Sequence, residues 1–288
     1  MLGRFLRRTP DDAPPGAGDA RPAAVRRLLA ADGTLLYAHH FRRRDDAADG
    51  GGRGGGDGGG DDFAVVVAHG FTQSSRSPQM KRIAGWLSQH AGVVLLDLRG
   101  HGRSRGHSTL GWREVLDMDA AVGWARALGY RRVATLGFSL GSAVAIRHAA
   151  LHRGVDAVAA VSVPGEWHYR GTAAMRTLHR LILTRPGRGV LRLARRTRVS
   201  PAGWSTPDPI DARAAAAEVD VPLLVVHGDR DDYFPLHHAW QVHMAAARGD
   251  LWLERGFGHA EAGATESLVS RIGGWLDQQT RRVAAVEV

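Results

Sequence analysis

The chain has 288 residues, 44% of them hydrophobic, a formal net charge of +9 and no cysteine. That length suits one large α/β domain or two small ones. The absence of cysteine excludes disulfides, a thiolate nucleophile and cysteine-bound metal. No run of 18 apolar residues exists to cross a membrane, and the basic start MLGRFLRRTPDD carries no apolar stretch of signal-peptide length. A cytoplasmic protein is therefore expected. The positive charge raises a nucleic-acid reading. However, nearly all of it is arginine, with Lys81 the single lysine, and it is not laid out as a nucleic-acid module, so no nucleic acid is expected as a partner.

Residues 1–22 are rich in Pro, Ala, Asp and Arg without a sustained period, and are predicted to be a disordered tail. One α/β domain over 23–288 should follow. Residues 25–43 read as two strands joined at Asp32-Gly33, a hairpin signal. The Gly/Asp-rich stretch 45–62 has little to bury and reads as a flexible surface loop. From residue 63, short apolar runs at 63–70, 92–98, 132–139, 155–163, 222–228 and 250–254 alternate with helical segments at 78–90, 112–128, 140–152, 235–247 and 263–283. Continuous apolarity implies strands buried on both faces, hence a mostly parallel sheet with helices on both sides and the hairpin as antiparallel edge strands. Nearly sixty residues between Val163 and Pro222 break this rhythm. They are too many for a loop, so a helical cap or lid is predicted at about 164–216.

Ligands of such sheets bind at the carboxyl ends of the strands, where this chain gathers its polar groups. Gly137-Phe138-Ser139-Leu140-Gly141 is G-x-S-x-G between a predicted strand and a predicted helix, the context of a nucleophile elbow. The turn must be tight and strained, and it leaves the Leu140 N–H free to bind a developing oxyanion. A serine hydroxyl needs a base. Of 15 histidines, His259 alone lies at this edge in a Gly-flanked loop before the last helix. It is the predicted base, whereas His69 and His227 end buried strands and read as loop braces. The base in turn needs an acid, and Asp229, Asp231 and Asp232 all follow one strand.

Together these motifs resemble the α/β-hydrolase family in its serine-nucleophile branch of lipase, esterase and serine aminopeptidase-like hydrolases. The resemblance runs from about residue 25 to 283. It rests on His69-Gly70-Phe71, on D-x-R-G-H-G-x-S from Asp97 to Ser104, on G-x-S-x-G at 137–141, on H-G-x-x-D-x-x-x-P from His227 to Pro235, and on Gly256 to His259. It implies Asp231 as the acid, Phe71 and Leu140 N–H groups as the oxyanion hole, and a structural role for the Asp97 segment. Ser139 in place of an aspartate disfavours epoxide-hydrolase and dehalogenase chemistry. The expected activity is cleavage of a small or lipid-like carboxylic ester through an acyl-enzyme, with no cofactor and no metal. The partner is then a small-molecule acyl substrate, with weak contact to an anionic membrane surface through the Arg-rich cap as a further expectation. Trp167 and Trp204 are expected to line an apolar acyl pocket with cap residues such as Leu178. Thioester, amide, peptide or carbon–carbon bond hydrolysis would use the same parts, and a hydrolase-fold binding protein with little turnover is the alternative outside enzymes.

Overall fold

The computed structural model describes residues 21–44 and 62–286. The predicted tail at 1–22 and Gly/Asp-rich loop at 45–62 therefore lie almost wholly outside the described residues.

Eight strands form one sheet: β1 (Ala24–Leu29), β2 (Leu35–Phe41), β3 (Phe63–Ala68), β4 (Gly92–Asp97), β5 (Arg132–Phe138), β6 (Ala157–Val161), β7 (Leu223–Gly228) and β8 (Gly249–Glu254). Their order is β1-β2-β4-β3-β5-β6-β7-β8. The pairs β1–β2 and β2–β4 are antiparallel, and β3 to β8 run parallel. The hairpin turns where expected, with Gly33 at φ +79° and the Asp32 carboxylate accepting the Thr34 N–H at 3.2 Å.

Every residue of β3, β4, β5, β6 and β7 is buried. Successive side chains point to opposite faces, so Ala64, Val66 and Ala68 enter one core while Val65 and Val67 enter the other. The first core is closed by α2 (Glu114–Ala127), α3 (Leu140–Leu151), α6 (Ala212–Ala216) and α7 (His237–Ala245), the second by α1 (Pro78–Leu87) and α8 (Glu266–Val286). The strand β8 departs from the expectation of two-sided burial. It is the sheet's edge and none of its residues is fully buried, which is why its run contains Asp250 and Glu254 among the apolar residues.

The segment 164–216 carries α4 (Ala173–Leu183), α5 (Arg185–Arg195) and the short α6. The Thr184 hydroxyl caps α5 by accepting the Gly187 N–H at 3.1 Å, and that of Thr172 caps α4 through the Met175 N–H at 3.2 Å. Part of the arginine content here is structural. Arg188 donates to the Ile182 and Leu183 carbonyls, and Arg198 to the Ser104 and Gly106 carbonyls.

The loop after β4 is held by ions. The Asp97 carboxylate accepts the Ser75 N–H at 2.6 Å and the Arg103 N–H at 3.0 Å. The Arg99 guanidinium is 3% exposed and bonds both the fully buried Asp117 on α2 and Asp32 of the hairpin turn. It therefore joins hairpin, loop and helix. Truncating one partner of a buried pair leaves the other charge without compensation. Replacing Arg99 with Leu is expected to cost about 3–5 kcal/mol of unfolding free energy in urea titration, and a loss below about 1 kcal/mol would place Arg99 among ordinary surface pairs.

Candidate active site

Ser139 stands between β5 and α3 with φ +49° and ψ −114°, a backbone conformation that non-glycine residues avoid. The two flanking glycines make room for it. A Cβ on Gly137 would overlap the Gly141 carbonyl, and one on Gly141 would overlap the Ala68 carbonyl of β3. The strain is tied down by backbone bonds: the Ser139 N–H donates to the Val161 carbonyl of β6 at 2.9 Å, and its own carbonyl accepts the Ser142 N–H at 3.0 Å. The serine thus sits at the centre of the sheet's carboxyl edge, at the N-terminus of α3.

His259 Nε2 lies 2.9 Å from Ser139 Oγ, and His259 Nδ1 lies 2.8 Å from Asp231 Oδ2. An ionised carboxylate only accepts, so the proton is on Nδ1 and the Nε2 lone pair faces the serine hydroxyl. The imidazole stacks on Tyr233 at 4.3 Å between ring centroids. The Asp231 side chain is 1% exposed. Burial pulls its carboxyl upward, but the His259 hydrogen bond and charge, the Phe234 N–H and the charge of His227 outweigh that, and it lies below the ordinary carboxylate range. Its second oxygen accepts the Tyr233 N–H at 2.8 Å and the Phe234 N–H at 3.0 Å. Asp229 braces the loop through the Gly256 N–H at 2.7 Å, and Asp232 is exposed.

The neighbouring histidines hold the loops. His227 Nε2 donates to the Phe234 carbonyl at 2.8 Å, and burial keeps its pKa low. His69 accepts the Leu98 N–H on Nε2 at 3.2 Å, which leaves the proton on Nδ1 to donate to the Gly70 carbonyl at 2.8 Å. That carbonyl belongs to the same trans peptide as the Phe71 N–H, which therefore points the opposite way. Thr72, next along, has φ +69°.

A cavity of about 1170 Å³ opens over Ser139 and His259. Its apolar wall includes Phe71, Met175, Leu178, Tyr233 and Phe234, so α4 forms one side of it. Trp167 and Trp204 are not among the lining residues. They pack on each other at 5.3 Å, and their ring N–H groups donate to the Pro209 carbonyl at 2.8 Å and the Thr109 carbonyl at 2.6 Å. A half-buried indole must satisfy that donor, and here doing so makes the pair an anchor for the segment rather than a cavity wall. The sequence reading missed Glu261. It is 4% exposed, lines the cavity and accepts the Gly70 N–H.

Among the described residues, Glu166, His237 and His238 bring potential metal ligands within 4.8 Å of one another. The Nδ1 lone pair of His238 is engaged by the Gly165 N–H at 3.2 Å, and its ring stacks on that of His237 at 4.4 Å. Two stacked rings direct their in-plane lone pairs side by side rather than at one ion. No helix among the described residues is long and apolar enough to cross a membrane.

A family model described as the alpha/beta hydrolase fold matches residues 64–178, which span β3, the Ser139 elbow and the start of α4. The chain has the α/β-hydrolase fold. An esterase from Pyrococcus furiosus, Pf2001, superposes with a TM-score of 0.68 at 20% identity, over 95% of this chain and 99% of that one. The esterase RhEst1 from a Rhodococcus species gives 0.66 at 16% identity, over 88% and 99%. GrgF, an alpha/beta hydrolase from a Penicillium species, gives 0.68 at 17% identity, over 90% and 99%. No curated protein matches the sequence.

The lowered pKa of Asp231 has a consequence for acid stability. Its folded value lies below its unfolded value, so the stabilisation is present above the ordinary carboxylate pKa and is lost as pH falls through the folded one. Asp231→Asn is expected to lessen the fall of the unfolding midpoint in that acid window. Equal acid slopes for the two proteins would contradict this origin of the shift.

Proposed function

We propose that the protein is a serine hydrolase that cleaves carboxylic esters through an acyl-enzyme. The observation that carries this reading is the unbroken chain from the buried Asp231 carboxylate through His259 to the Ser139 hydroxyl, at 2.8 and 2.9 Å. The hydroxyl lies at the floor of an open cavity. Similarity in fold to esterases from Pyrococcus furiosus and a Rhodococcus species makes an ester the first substrate class to try.

In this mechanism His259 Nε2 takes the Ser139 proton as Oγ attacks the ester carbonyl carbon. The carbonyl oxygen becomes an oxyanion, held by the backbone N–H groups of Phe71 and Leu140. Each such donor is worth about 3 kcal/mol in transition-state stabilisation. Asp231 keeps the proton on Nδ1 and stabilises the imidazolium. His259 then protonates the departing alkoxide, the alcohol leaves, and the acyl group stays on Oγ. A water molecule, deprotonated by His259, attacks the acyl-enzyme. Collapse of the second oxyanion returns Ser139 and releases the carboxylic acid. The Phe71, Met175 and Leu178 wall would take the acyl chain by burial of apolar surface. The same parts can act on thioesters or amides, so the ester assignment rests on substrate trials.

p-Nitrophenyl esters of graded chain length provide the test, with wild type beside Ser139→Ala and Asp231→Asn. Turnover is expected in the wild type and lost in Ser139→Ala. In Asp231→Asn it should drop by roughly 10⁴-fold in kcat, since an amide favours the wrong imidazole tautomer. Full turnover by Ser139→Ala would overturn the mechanism, and absence of wild-type turnover on every ester would remove esters as the substrate class.

A further inference from the structure

Glu261 is a carboxylate with no role in the acyl-transfer steps above, yet it is nearly fully buried in the wall of the same cavity. Burying a charge is costly unless strong hydrogen bonds compensate, so its position asks for a reason. The partner is specific: Glu261 Oε1 accepts the N–H of Gly70, the residue immediately before Phe71. Both carboxylate oxygens crowd this glycine. A Cβ there would stand 2.9 and 3.0 Å from Oε1 and Oε2. Glycine at position 70 is what lets the carboxylate approach the backbone.

The consequence follows from two successive peptide units. Glu261 grips the N–H of the 69–70 peptide, and His69 Nδ1 grips the C=O of the 70–71 peptide. Gripped at both ends, Gly70 has little freedom to rotate, and the N–H of Phe71 is aimed by the same restraint. Glu261 is itself held. It lies in a one-turn 3₁₀ helix, Ala260–Gly263, directly after His259. Ala260 has φ +51°, and its N–H donates to Ser162 Oγ at 2.9 Å. Ser162 in turn has φ +54° and donates its own N–H to the Val226 carbonyl at 2.9 Å. The segment that carries the proposed base therefore also carries the clamp on the oxyanion loop, and both are pinned to β6 and β7.

We propose that Glu261 is a positioning residue that holds the oxyanion donor of Phe71 in register with Ser139. It acts through Gly70, whose N–H it accepts, rather than on the reacting atoms. The proposal rests on the ester-hydrolase reading above. Its signature is a loss in the transition state rather than in ground-state binding. It also predicts that any change which separates Glu261 from Gly70 produces the same defect.

The test is a set of four variants of the full chain, Glu261→Ala, Glu261→Gln, Gly70→Ala and the double variant Glu261→Ala/Gly70→Ala, assayed on the best p-nitrophenyl ester. Labelling of Ser139 by a fluorophosphonate is followed in parallel. Glu261→Ala is expected to lower kcat and the labelling rate by about tenfold or more with KM changed less than about twofold, as misplacement of a catalytic donor does. Glu261→Gln keeps an acceptor oxygen and should restore most of that loss. Gly70→Ala pushes the carboxylate off the backbone and should reproduce the Glu261→Ala defect, and the double variant should be little worse than either alone. Near-ultraviolet circular dichroism and the thermal midpoint confirm that each variant is folded. Should Glu261→Ala misfold, Gly70→Ala with Glu261→Gln decides the matter. The proposal is overturned if wild type turns over ester and folded Glu261→Ala or Gly70→Ala matches it in kcat. It is equally overturned if Glu261→Gln is as impaired as Glu261→Ala. A wild type that neither labels nor turns over would instead count against the ester-hydrolase reading on which the proposal stands.

Discussion

The strained backbone at Ser139 is the constraint on which the rest of the site depends. A positive φ at a residue with a side chain is costly, and it persists only because β5, α3 and β6 hold it from three sides. The two glycines permit the crossing of β5 into α3 against the carbonyl of Ala68 on β3. The result is a hydroxyl lifted clear of the sheet edge beside a helix N-terminus, where backbone N–H groups are free. Every other polar group in the region is arranged around that fixed point. β7 delivers Asp231, the loop after β8 delivers His259, and β3 delivers Phe71.

The polar supports behind these groups form a second layer with a consistent logic. Each loop that bears a candidate site residue is fixed by a buried polar side chain that bonds backbone, not another loop's side chain. His69 holds the Gly70 carbonyl, His227 holds the Phe234 carbonyl, Asp97 holds two N–H groups, and Ser162 holds Ala260. Burial lowers the pKa of His101 to about 3 and that of His227 below its ordinary value. Neutral rings of this kind keep one donor and one acceptor, and their tautomers stay fixed.

Much of this was legible in the amino-acid sequence because the physics is local. Strands buried on both faces must be apolar throughout, and β3 to β7 announce themselves in that way. The elbow needs small residues on either side of Ser139, so its glycines are visible as a motif. Long-range choices were less legible. Asp229, Asp231 and Asp232 are equivalent by spacing, and only resemblance to a known family favoured Asp231. What separates them in space is which side chain turns inward against His259. The two tryptophans lie outside the lining of the Ser139 cavity for a related reason. Aromatic content in a cap suggests a cavity wall, but an indole N–H needs an acceptor, and those of Trp167 and Trp204 are the Pro209 carbonyl within the segment and the Thr109 carbonyl in the loop between β4 and α2. Glu261 left one signal, a carboxylate two residues after His259 in a glycine-rich loop. Its partner Gly70 is 191 residues away, and no spacing rule spans that distance.

The central claim is that Ser139 is a nucleophile activated by His259. Covalent labelling with a fluorophosphonate, followed by mass spectrometry of the peptide containing residue 139, tests it without knowledge of the natural substrate. The account predicts one adduct, on Ser139, with labelling in His259→Ala slowed by orders of magnitude in proportion to the loss of the base. An adduct on another residue, or equal labelling rates in wild type and His259→Ala, would contradict it.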